Sequence, residues 1–147
     1  MTEERHFMVV GVFLILKDKD GKILLARRSN TGFADGDYSF PCGHVDGGEN
    51  LKTALVREAE EEIGITINEG DLYFAGATHW QSNKQSVNFF FECTKWEGDP
   101  INAEPEKCDD VSWFQKEDFP KNMMKQVSVA FEAYNNNGKG FFIELQD

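Results

Sequence analysis

The stretch that most constrains this chain runs from Gly43 to Ile65 and reads GHVDGGENLKTALVREAEEEIGI. A glycine-rich turn, Asp46-Gly47-Gly48-Glu49, opens onto Leu51–Ile63, whose spacing predicts a helix that Gly64 stops. At about 100° per residue, Leu55, Val56, Ala59 and Ile63 share the flank expected to be buried. Glu58, Glu61 and Glu62 share the neighbouring flank, because positions three and four apart are adjacent on a helix. Each like-charged pair so placed costs a helix about 0.2–0.5 kcal/mol. Either this flank is a solvated acidic face, or a cation is its missing partner.

Bulk properties narrow the classes. A chain of 147 residues, 40% hydrophobic with 13 phenylalanines, has the composition of one folded domain with a single core. The formal charge of −11 argues against a nucleic-acid polymer as partner, which would need a basic footprint. The same field repels phosphates unless divalent ions on the acidic helix reverse the local sign. Cys42, Cys93 and Cys108 are odd in number and scattered, so they form neither a disulfide framework nor a zinc motif. Reduced thiols and a cytoplasmic location follow as the expectation. The apolar run Phe7–Leu16 has acidic residues before it and no cleavage site after it, unlike an export signal. It is also too short to span a bilayer, so no membrane partner is expected.

Along the chain, Phe7–Leu16 reads as a central strand and Lys22–Arg27 as its hairpin partner across Asp18-Lys19-Asp20-Gly21. Ser29–Asp37 is a loop, and Tyr38–Phe40 a short strand entering the glycine turn through Pro41. Leu72–Trp80 and Ser86–Trp96 form an antiparallel pair, the second with period-two alternation. After a long loop, Glu97–Asp109, come a short strand, Val111–Phe114, and a second amphipathic helix, Asn122–Tyr134, on Met123, Val127, Ala130, Phe131 and Tyr134. Asn135–Gly140 ends it, and Phe141–Leu145 adds an edge strand able to pair with a second copy as a homodimer. The pattern predicts an α/β (α+β) fold with a mixed sheet covered on both faces.

The constrained positions spell G-x5-E-x7-R-E-U-x-E-E-x-G-U, where U is bulky or aliphatic: Gly43, Glu49, Arg57, Glu58, Ala59, Glu61, Glu62, Gly64 and Ile65. This resembles the signature of the Nudix hydrolases, MutT-like nucleoside triphosphate pyrophosphohydrolases in particular; Ala59 is smaller than the usual residue. The resemblance implies an α/β/α sandwich with a central mixed sheet, residues 1–147 being one Nudix domain. It also implies Mg2+ (or Mn2+) held by Glu58, Glu61, Glu62 and the main-chain carbonyl of Cys42. The run Trp96-Glu97-Gly98-Asp99-Pro100 is similar to a MutT-like loop and places Glu104 on a further ligand position, with Glu106 as competitor. By the same resemblance Glu58 is the general base, Glu49 orients the box and Arg57 holds its carboxylates; a structural salt bridge is the alternative for the last two.

Arg27 and Arg28 match the position of a phosphate-contacting arginine. Strand alternation lets only one face the site, and Arg28 is preferred. His44 stands close enough to join it. For the nucleobase, Phe40, Trp80, Trp113 and the segment Asn122–Gln126 are candidates, Asn122 as the edge reader, with core packing the alternative for Phe40 and Trp113. The expected activity is metal-dependent cleavage of a nucleoside diphosphate linked to another moiety, first a (deoxy)nucleoside triphosphate cut to monophosphate and pyrophosphate, including sanitation of oxidised nucleotides. ADP-ribose or a nucleotide sugar is the alternative substrate. A non-catalytic nucleotide sensor is the alternative class, although such proteins commonly lose box carboxylates and this chain keeps them.

Overall fold

β1 (Val9–Leu16) explains the architecture, because its side chains serve two cores at once. Val12, Leu14 and Leu16 point to one side and Phe13 and Ile15 to the other, and all five are buried. A strand apolar on both faces must lie inside a sheet covered on both sides. The computed structural model describes residues 4–82 and 84–146. In it β1 pairs antiparallel with β4 (Cys42–His44) and parallel with β6 (Ser86–Cys93). β5 (Tyr73–Gln81) runs antiparallel to β6, and β8 (Phe141–Gln146) closes the edge parallel to β5, giving the order β4-β1-β6-β5-β8.

The expected mixed sheet is therefore present, with one helix on each face. α1 (Leu51–Ile63) lays Ala54, Leu55, Ala59 and Ile63 against Val12, Leu14 and Phe91. α2 (Lys125–Asn137) lays Val127, Ala130, Phe131 and Tyr134 against Phe13, Ile15 and Phe90. Gly64 ends α1 in the left-handed region at φ 68°, and its N–H reaches the Glu60 carbonyl.

The hairpin expected between Phe7–Leu16 and Lys22–Arg27 does not form. β2 (Ile23–Arg28) touches β1 only through a bridge between Lys17 and Ile23, then leaves to build a second, antiparallel sheet with β3 (Tyr38–Ser39) and β7 (Cys108–Phe114). Leu24 packs into the α1-side core while Ile23 and Leu25 pack into the α2-side core, and the ladder of β2 is supplied by β7. β1 begins at Val9 rather than Phe7, whose side chain is 87% exposed. Residues Cys42–His44, given no element by the sequence pattern, are a strand. The second helix starts at Lys125 and carries on through Asn135–Asn137 to Gly138, because neighbouring packing outweighs the weak helix preference of asparagine. In β6 the alternation does not separate core from solvent: Phe90 serves one core, and Phe91 and Cys93 the other.

Candidate active site

A cleft of about 900 Å³ opens where the two sheets diverge. Glu58, Glu61, Glu62 and Glu104 line one end, Cys42, Gly43 and His44 its middle, and Phe33, Trp80, Asn88, Met124 and Gln126 the other end. β4 passes the α1 carboxylates closely enough that only glycine fits. A Cβ on Gly43 would lie 2.1 Å from Glu58 Cδ.

Arg57 organises the acidic end. Its Nε and Nη2 donate to Glu49 Oε2 and Oε1 at 2.8 and 2.9 Å, and its Nη1 to Glu58 Oε1 at 2.9 Å and Glu61 Oε2 at 3.3 Å. Nη2 also reaches the His44 carbonyl at 3.1 Å, tying α1 to β4. The planar fork makes this bridging possible; a lysine ammonium lacks the geometry. The hydrogen bond from Arg57 holds the Glu49 carboxyl down at about 2. Glu49 also accepts from the Asp46 N–H at 2.9 Å, fixing the glycine turn.

The remaining carboxylates behave oppositely. Desolvation first, and then the neighbouring Glu58 charge, push Glu62 up to about 8, although it accepts a 2.9 Å bond from the Cys42 N–H. Desolvation raises Glu58 as well, with Glu61 and Glu104 adding repulsion against the opposing pull of Arg57. Carboxyls crowded until their charged forms are disfavoured fit a hard divalent cation, which takes oxygen ligands and repays the repulsion. No three His, Cys, Asp or Glu side chains among the described residues converge as a finished cation cage. Arg57 draws Glu58 and Glu61 toward itself while Glu62 turns to Cys42 N–H. Burial pushes the Cys42 thiol up to about 12, so this cysteine stays protonated and offers no thiolate.

Arg28 donates to the Phe33 carbonyl at 2.8 Å and Thr31 Oγ1 at 3.2 Å, and its charge acts on Glu62 and His44. Arg27 is paired with Asp109 Oδ1 at 2.6 Å and lies over the Tyr38 ring. Strict alternation fails here: the β2–β7 register shifts between Arg27 and Arg28, and both side chains line the cleft. His44 and Trp80 line it too, while Glu106 does not. Asn122 is elsewhere. Its Nδ2 donates to the Gly36 carbonyl at 2.7 Å, an exposed loop tie outside the cleft. Trp113 stacks on Trp96 at 5.9 Å against the α1-side core, and Phe40 is 1% exposed among aromatic neighbours.

Sequence reasoning missed Lys84 and Lys107 on the cleft wall, and Phe33, whose ring meets Trp80 at 6.1 Å. It also missed Asn88 at the far end, whereas Gln126, within the candidate segment Asn122–Gln126, does line the cleft. The available signal was Asn88 itself, a polar residue inside the apolar run SVNFFF.

Fold and acidic helix together define an α/β/α hydrolase domain. The NUDIX domain profile matches residues 6–134, and the chain belongs to the Nudix hydrolase family. It is 36% identical over 91 residues to the 8-oxo-dGTP diphosphatase of Haemophilus influenzae, covering 61% of this chain and 65% of that one. It is 29% identical over 108 residues to the NAD-capped RNA hydrolase NudC of Pseudomonas putida, covering 73% of this chain but only 37% of that one. The chain thus spans less than two thirds of the length of either relative. The MutT NUDIX hydrolase of Burkholderia pseudomallei superposes with a TM-score of 0.80 at 25% identity over 86% of this chain and 98% of that one. A NUDIX hydrolase from Nitrosomonas europaea superposes at 0.83 over 99% of this chain and 83% of that one, at 16% identity, a likeness of fold. No helix among the described residues is long and apolar enough to cross a membrane.

Proposed function

We propose that this protein is a divalent-metal-dependent pyrophosphohydrolase that cleaves the phosphoanhydride of a small nucleotide, foremost a (deoxy)nucleoside triphosphate, to the monophosphate and pyrophosphate. The observation that carries this reading is the group of mutually repelling carboxylates on α1, facing Arg28 across one cleft. Glu58, Glu61, Glu62 and Glu104 would hold magnesium, with the Cys42 carbonyl beside them. The bound ion supplies charge neutralisation for the diphosphate and a lower pKa for attacking water. Arg28 neutralises phosphate oxygens entering from β2, with His44 and Arg27 on the same wall. Glu58 Oε1 is occupied by Arg57, which leaves Oε2 to accept the proton of the attacking water. Arg57 keeps Glu58 and Glu61 oriented, and Glu49 anchors Arg57 in turn. Trp80 and Phe33 provide aromatic surface for the nucleoside end.

A second reading is supported by the NAD-capped RNA hydrolase relatives: a nucleoside diphosphate joined to a second group, as in NAD, ADP-ribose and nucleotide sugars, cut by the same box. Pyrophosphate and nucleotide release across a panel of triphosphates, NAD and ADP-ribose with Mg2+ separates the two. Triphosphate turnover well above the others supports the first. Turnover of NAD or ADP-ribose without triphosphate turnover moves the assignment to the second, and silence across the panel with binding retained would make the chain a sensor.

A further inference from the structure

The far end of the cleft holds polar side chains that the reading above does not use. Asn88 on β6 and Gln126 on α2 are 3% and 4% exposed, and Thr78 on β5 between them is fully buried. Their hydrogen bonds run in one direction. Asn88 Nδ2 donates to Thr78 Oγ1 at 3.3 Å and to Ser86 Oγ at 3.0 Å, and the Thr78 hydroxyl donates onward to Gln126 Oε1 at 3.0 Å. This relay uses the amide hydrogens of Asn88 and the carbonyl of Gln126. It leaves Asn88 Oδ1 as an acceptor and Gln126 Nε2 as a donor with no bond in the network. Among the described residues no fully enclosed side-chain N or O atom lacks a partner, so both atoms open to the cleft that both residues line. Gly11 is the register partner of Asn88 on the adjoining strand β1, where a Cβ would come within 2.4 Å of Asn88 Oδ1.

A buried acceptor and donor at the two ends of one relay cost stability unless something pairs them. We propose that Asn88 and Gln126, aligned by Thr78, are specificity-determining residues that read a lactam edge of the base, a ring N–H beside a C=O. This assignment rests on the nucleotide reading above. The ring N–H donates to Asn88 Oδ1 and the carbonyl accepts from Gln126 Nε2. An amidine edge, with an exocyclic NH2, fits worse. One of its hydrogens pairs with Asn88 Oδ1, and the relay offers no second free acceptor for the other. A buried N–H left unpaired is costlier than a carbonyl with one idle lone pair. The neighbouring surface of Trp80 and Phe33 selects a planar ring without reading its edge.

Inosine and adenosine monophosphates differ at this edge, lactam in one and amidine in the other, so calorimetric binding of each to the full-length chain with Mg2+ tests the assignment. Inosine monophosphate should bind at least about tenfold more tightly, as expected where a site hydrogen-bonds one edge and strands the other. Asn88→Leu, Gln126→Leu and Thr78→Val should each erase that preference. Should a core variant fail to fold, Gly11→Ala on the adjoining strand displaces the Asn88 carboxamide and should erase it as well. Equal affinities, no binding of either nucleotide, or a preference that survives in the folded variants would overturn the assignment. Absent triphosphate turnover together with an intact preference would instead strike the hydrolase reading and leave this one standing.

Discussion

Replacing Gly43 with alanine tests whether the position of the Glu58 carboxylate limits the reaction. The added Cβ would sit 2.1 Å from Glu58 Cδ and 2.4 Å from both Cγ and Oε1. Carbon atoms rest at about 3.5 Å, so the carboxylate must retreat by about 1.4 Å. Its bond to Arg57 Nη1 at 2.9 Å cannot follow without releasing Glu49 or Glu61. A displacement of about 1 Å at reacting groups costs on the order of a hundredfold in rate, or about 2.7 kcal/mol of barrier. Overpacking costs about 1–3 kcal/mol of stability, small enough for the domain to stay folded. The assay is kcat for nucleotide hydrolysis across a Mg2+ titration, with circular dichroism and a thermal melt on the same samples. Glu58→Gln is measured alone and combined with Gly43→Ala, and the second change should then add nothing to the loss. A folded Gly43→Ala protein whose kcat stays within about threefold of wild type, far short of the hundredfold expected, refutes the reasoning. So does a double variant whose losses multiply.

Four further outcomes are expected. Glu58→Gln and Glu61→Gln should each lower kcat by about two orders of magnitude or more at unchanged fold, and Glu104→Gln by less, read by the same release assay. Arg57→Lys keeps the charge but loses the two bonds to Glu49, so kcat should fall by about tenfold and Mg2+ saturation should shift upward. Burial raises Glu92, but the Tyr134 hydroxyl, Lys17 and Lys139 together hold it below the usual carboxylate range. Its stabilisation is therefore complete above the unfolded value and lost as pH falls through the folded one. Glu92→Gln should destabilise more at pH 7 than at pH 3, measured by urea unfolding at both, and an equal cost at the two would refute the assignment. Phe90→Ala empties a fully buried site stacked on Phe13 at 4.7 Å and should destabilise by about 3–5 kcal/mol, visible as a lower urea midpoint at unchanged slope.

The acidic helix was legible because its period is local: glycine turn, apolar flank and glycine stop all lie within Gly43–Ile65, and α1 has the bounds its spacing predicts. The expectation for β2 failed for a non-local reason. Turn chemistry at Asp18–Gly21 favours a hairpin, but the ladder of β2 is taken by β7, a strand far later in the chain that no local reading contains. The bulge that brings both Arg27 and Arg28 to the cleft is likewise set by β7, which no reading of β2 alone contains. Asn122 attracted notice through its place after Pro120, yet the chain spends that side chain on Gly36. Gln126 lay inside the candidate segment Asn122–Gln126, but its partner Thr78 on β5 is set by the fold, which no reading of α2 alone contains.

The alternation of β1 between two cores divides labour within the domain. The carboxylates stand on the helix supported by Val12 and Leu14, whereas Met124 and Gln126 stand on the opposite layer, supported by Phe13. Changes that reshape the ring-binding end can thus accumulate beneath α2 while the ion-gripping end keeps its foundations. A scaffold laid out this way can exchange one ligand for another without relearning its chemistry.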